Sequence, residues 1–117
     1  MDLTLIARGM GVSIRYGTPP GGWWGLWAPH HRTIVIRKGL TLKQWRYTLA
    51  HEIGHAHHQH YGHHPDQEFE ADLYAAHTLI DTRQLRAAMD KHQCHVTVAE
   101  HLGVFPRLVR ALERAVR

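Results

Sequence analysis

The stretch that most restricts this chain is His51-Glu52-Ile53-Gly54-His55, set in the middle of a helical pattern. Thr41 offers an N-cap, and Leu42, Trp45, Leu49, Ile53 and Ala56 then recur every three or four residues, which predicts a helix over residues 42–59. On a helix, positions i and i+4 lie roughly 40° apart around the axis, so both imidazoles point toward one ion. Glu52 sits one step round, where a carboxylate can take a proton from water beside that ion. The pentad therefore predicts His51 and His55 as metal ligands and Glu52 as a general base.

Histidine is out of proportion, at 13 of 117 residues, and seven of them (His51, His55, His57, His58, His60, His63, His64) fall within 14 positions. Charge segregates around the same stretch. Residues 1–48 hold seven basic groups and one acid, and residues 83–117 hold seven basic groups and three acids. Between them, residues 49–82 carry six acids (Glu52, Asp66, Glu68, Glu70, Asp72, Asp81) and neither Lys nor Arg. That composition suits a divalent cation, which a nearby ammonium or guanidinium would repel. The remaining histidines of the cluster read as solvated polar residues at a helix end and loop; His77, two turns after Glu70, could orient a ligand, and its role is left open. The net charge of +4 says little by itself about nucleic acid.

The length corresponds to one small domain, residues 1–117. Residues 4–10 read as a short helix, residues 11–16 as a strand, and residues 23–27 and 33–37 as an antiparallel pair. Tyr61-Gly62-His63-His64-Pro65 ends the long helix; Asp66 is expected to cap a second, with Phe69, Leu73, Ala76 and Ile80 on its buried face. Helices over 82–92, 96–102 and 106–116 follow. The class is α+β: a two- or three-stranded antiparallel sheet (residues 1–40), the active-site helices (41–80) and C-terminal helices (82–117). The longest nearly uncharged apolar stretch, residues 21–29, is far short of the roughly 20 residues that a membrane span needs. The start lacks the features of a secretory signal, and the single Cys94 fits a reducing compartment, so a cytoplasmic protein is expected.

A catalytic zinc takes three protein ligands and keeps a position open. Glu68, Glu70 and Asp72 follow one another at two-residue spacing, about 200° apart on a helix, so they cannot share one direction. Glu70 lies at the edge of the expected buried face with Tyr74 and His77, while Glu68 and Asp72 would flank it or face solvent. Periodicity thus favours Glu70 and leaves the other two open.

The segment Leu49-Ala50-His51-Glu52-Ile53-Gly54-His55, followed by Glu68-Phe69-Glu70-Ala71-Asp72-Leu73-Tyr74-Ala75-Ala76, resembles the ImmA/IrrE family of metallopeptidases. The resemblance implies a zinc-dependent, gluzincin-like endopeptidase with His51, His55 and Glu70 as ligands and Glu52 as base. It also implies a protein substrate, commonly a helix-turn-helix repressor in phages and mobile elements. The chain departs from the family pattern at Leu79-Ile80-Asp81, in its short N-terminal helix and in the extra histidines after His55.

Two further features bear on partners. Ala99, Gly103, Val109 and Leu112 have a spacing that resembles a helix-turn-helix, with Arg107, Arg110 and Arg114 after the turn. This sets up an alternative from another class, a non-catalytic metal-binding regulator acting on protein or DNA through its C-terminal helix pair. Trp23, Trp24 and Trp27 are expected to pack in the sheet, whose edge would accept an extended peptide by strand addition.

Overall fold

The computed structural model describes residues 2–116. Helix α1 (Leu3–Gly9) is capped by the Asp2 carboxylate, which accepts from the Thr4 and Leu5 amides. Strands β1 (Ser13–Gly17), β2 (Gly25–Ala28) and β3 (Thr33–Arg37) form one sheet in the order β1-β3-β2. β2 and β3 are antiparallel, as the sequence predicts, but β1 runs parallel to β3. The all-antiparallel expectation is corrected for a topological reason: β2 is the return leg between β1 and β3, so the outer two segments of chain run the same way. Ile34 and Ile36 alternate along β3 and are fully buried.

Helix α2 (Leu42–His57) crosses the sheet, packing on β2 and β3. It begins with a reciprocal cap, in which Thr41 Oγ1 accepts from the Gln44 amide and Gln44 Oε1 accepts from the Thr41 amide. Every residue from Tyr47 to Ala56 is buried, so this is the central helix of the molecule. It ends two residues earlier than its periodicity predicts. Gln59 adopts φ 56°, a left-handed conformation that turns the chain back, and the His60 amide donates to the His55 carbonyl at 2.9 Å.

Helix α3 (Pro65–Leu79) starts two residues earlier than expected. Its cap is His64, not Asp66: His64 Nδ1 accepts from the Asp66 amide, and Pro65 occupies the first helical position, where its missing N–H leaves nothing unpaired. The buried residues of α3 are Ala71, Asp72, Ala75 and Ala76, with Phe69 and Leu73 only half-buried. The expected face is therefore rotated. Small residues set this contact: a Cβ added at Gly54 of α2 would lie 3.0 Å from Ala71 Cα, Ala71 O and Tyr74 Cβ. A hydrogen at position 54 and methyl groups at 71 and 75 let the two helices approach closely, which larger side chains would prevent.

Helices α4 (Thr82–Lys91), α5 (His95–Leu102) and α6 (Pro106–Ala115) complete the order, with Gly103 at φ 71° turning the chain between the last two. α6 packs on α3 and α5, and its Leu108, Val109 and Ala111 are buried. Among the described residues, no helix is long and apolar enough to cross a membrane.

Candidate metal centre

His51 and His55, one turn apart on α2, bring their Nε2 atoms to 3.1 Å of each other. Glu68 of α3 completes the group, with Oε2 2.8 Å from His51 Nε2 and 3.2 Å from His55 Nε2. A tetrahedral ion with bonds of about 2.0–2.1 Å holds its ligand atoms roughly 3.3 Å apart. The three donors already stand near that spacing, and two imidazoles with one carboxylate are a donor set that fits a divalent metal.

Glu70 is not brought to this group. Its carboxylate faces away toward His58 Nδ1 at 3.5 Å and His60 Nε2 at 3.6 Å. The expectation for Glu70 is corrected by the rotation of α3 described above. With Ala71 against Gly54, the positions that flank the crossing on the histidine side are Glu68 and Asp72, one turn apart, and Glu70 falls on the other side. A signal was present in the sequence: Glu68 and Asp72 repeat the i, i+4 spacing of His51 and His55.

Each ligand candidate is held by a further contact. His51 Nδ1–H donates to Asp72 Oδ1 at 2.8 Å, which fixes Nε2 toward Glu68. Asp72 in turn accepts from Tyr47 Oη at 2.7 Å and from Arg107 Nε and Nη2 of α6 at 2.9 and 2.8 Å. The second Glu68 oxygen, Oε1, accepts from His63 Nδ1 at 3.1 Å, and Trp23 lies against the His63 ring with centroids 4.5 Å apart. His55 Nδ1 meets His60 Nδ1 at 3.0 Å. His60, expected in solvent, is buried, whereas His63 is exposed as expected and still reaches Glu68. His77 is exposed and sits at a separate cleft with His57 and His58.

The electrostatics follow from this crowding. Burial alone would lower the His51 pKa, but hydrogen bonds to Asp72 and Glu68 outweigh it and raise the value to about 9. The hydrogen bonds from His51 and His55 hold the Glu68 carboxyl well below the usual carboxylate range. Burial pushes Glu52 upward, opposed in part by the neighbouring His51 and His55. A buried carboxylate of raised pKa is a better proton acceptor than an exposed one.

Glu52 and Glu68 line a cleft of about 510 Å³ together with Trp23, Trp24, Gly25, Tyr47 and Arg107. Trp23 and Trp24 precede β2 and line the cleft, with Trp24 packed on Tyr47 and Phe105, whereas Trp27 of β2 is buried in the core. Gly25 of β2 is close to α2: a Cβ there would lie 2.5 Å from Thr48 Cγ2 and 3.2 Å from Glu52 Cγ. Two of the three arginines after the Gly103 turn are engaged within the fold, Arg107 on Asp72 and Arg114 over the Phe69 ring at 4.2 Å.

No curated protein matches the chain. A peptidase family model described as the IrrE N-terminal-like domain matches residues 9–111.

Proposed function

The chain belongs to the IrrE N-terminal-like peptidase family, and from that premise we propose that it is a zinc-dependent endopeptidase acting on a protein substrate. The observation that carries the reading is the convergence of His51, His55 and Glu68 on one point, with Glu52 beside them in an open cleft. His51, His55 and Glu68 would hold the ion, leaving a position open toward the cleft. Zinc bound there would supply the Lewis acidity that polarises a peptide carbonyl and makes water acidic near neutral pH.

The chain's own residues do the rest. Glu52 accepts the proton that the attacking water gives up and returns it to the amine that leaves. Asp72 and His63 keep His51 and Glu68 in their orientations. The cleft wall at Trp23, Trp24 and Gly25 is the side against which an extended peptide would lie. A repressor of the helix-turn-helix type is the first substrate class to test, and a cytoplasmic setting fits the lone thiol of Cys94.

Glu52→Gln tests the proposal. Metal content and fold should be retained while cleavage of a co-expressed repressor panel, or of an unstructured protein such as casein, falls by about 10²–10⁴-fold. An unchanged biological effect in that variant would instead support the non-catalytic regulator. The internal engagement of Arg107 and Arg114 weighs against DNA reading by the C-terminal helix pair.

A further inference from the structure

The histidines beyond the pentad form a second constellation. His58, His60 and Glu70 place one donor atom each within 4.8 Å of one another. The turn at Gln59 produces this grouping by folding His60 back beneath His55, so that the His58 and His60 rings stack nearly parallel, 15° apart in plane. Glu70 presents one oxygen to each ring, Oε2 to His58 Nδ1 at 3.5 Å and Oε1 to His60 Nε2 at 3.6 Å. Both separations are long for hydrogen bonds and close to the roughly 3.3 Å between ligand atoms around a tetrahedral ion.

Access and surroundings also suit an ion. The His60 side chain is 7 % exposed, while Glu70, at 47 %, opens to solvent. His58 and Glu70 border a cleft of about 710 Å³ whose described lining adds His57 and His77 and contains neither Lys nor Arg. Two imidazoles and a carboxylate select a borderline transition metal over calcium or magnesium, which prefer all-oxygen sites.

We propose that His58, His60 and Glu70 form a second site for a divalent transition-metal ion, and that filling it opposes filling of the His51, His55 and Glu68 centre. The distal site stands on its own geometry; the opposition rests on reading His55 as a ligand of the first centre. It follows from counting protons. His55 binds an ion through Nε2 only with its proton on Nδ1, which then donates to His60 Nδ1 across 3.0 Å. That bond requires the His60 proton to be on Nε2, the atom the distal ion needs. If both ions bind neutral rings through Nε2, two N–H groups face each other across that contact. One hydrogen bond is lost and a repulsion replaces it.

The test is a zinc titration of the metal-free full chain by calorimetry, with bound metal counted by mass spectrometry. Wild type should take two ions, the second more weakly. His58→Ala and Glu70→Gln, both at exposed positions, should each take one ion and keep the tight site. Glu68→Gln should lose the tight ion and bind at the distal site about five- to a hundredfold more tightly than wild type binds its second ion. A second ion unaffected by His58→Ala and Glu70→Gln, or a wild type that takes one ion only, would overturn the distal site. Equal distal affinity in wild type and Glu68→Gln would overturn the coupling. A tight ion that survives Glu68→Gln, while the His58→Ala loss persists, would sink the reading of the first centre and leave the second.

Discussion

Asp72 on α3 grips His51 on α2 through a 2.8 Å hydrogen bond at Nδ1, and Arg107 of α6 holds the other Asp72 oxygen with two bonds. A coordinating histidine keeps its tautomer and direction through such a partner. Asp72→Asn should therefore lower metal affinity by about 10–100-fold in a chelator competition assay, and Arg107→Ala should have a smaller effect in the same direction. Unchanged affinity in Asp72→Asn would mean that the helix backbone alone orients the ring.

Glu68 and Glu70 are two positions apart and face opposite ways. Substituting Glu68 by Gln should release the tight ion and abolish most turnover. The same change at Glu70 should leave the tight ion and the cleavage rate near wild type. Metal content after gel filtration, with turnover measured alongside, separates the two; the reverse pattern would restore Glu70 as the third ligand.

Gly25 is where β2 comes close to α2. An alanine there would place its Cβ 2.5 Å from Thr48 Cγ2 and 3.2 Å from Glu52 Cγ. Thr48 is buried and has little room to yield, so the strand or the helix must shift. We expect Gly25→Ala to cost about 1–3 kcal/mol in denaturant unfolding and to reduce turnover through displacement of Glu52. A fully stable, fully active variant would show that β2 moves away freely.

The metal-free protein should carry a particular pH signature. His51 rises from an ordinary 6.5 to about 9 on folding, so the folded state binds a proton that the unfolded chain releases. The associated stabilisation is complete below about pH 6.5 and is lost as pH rises toward 9. Glu68 and Asp72 are held low largely by that same imidazolium, so their contribution is present above about pH 4 and fades as pH falls further. In the presence of chelator, thermal unfolding should be highest near pH 5–6.5 and decline by several degrees, roughly, by pH 9. Metal must displace the His51 proton, so zinc affinity should increase over the same interval. A flat Tm between pH 6 and 9 without metal would show that His51 is not protonated between the two carboxylates.

The local half of the site is legible in the sequence because helix geometry is local. About four turns of periodicity around His51, Glu52 and His55 are enough to set those three side chains on neighbouring directions, and Thr41 and Gln44 start the helix where the pattern predicts. Family resemblance extends this to a second acidic helix. Which acid that helix turns inward depends on its rotation about its own axis. Large apolar residues suggest Phe69, Leu73, Ala76 and Ile80 as the buried face, but Phe69 lies under Arg114 instead. The rotation is set by the close approach of Ala71 to Gly54 and by Arg107 reaching over from α6 to Asp72.

By itself, then, the sequence determined the α+β order, the helix α2 and the pair of histidines on it, which follow from periodicity and from contacts within about one helical turn. Only the tertiary structure decided that Glu68 stands with His51 and His55, that Glu70 stands with His58 and His60, and that β1 runs parallel to β3. Those choices rest on packing between segments far apart in the chain, where the absence of a side chain at Gly54 counts for more than the hydrophobicity of its neighbours.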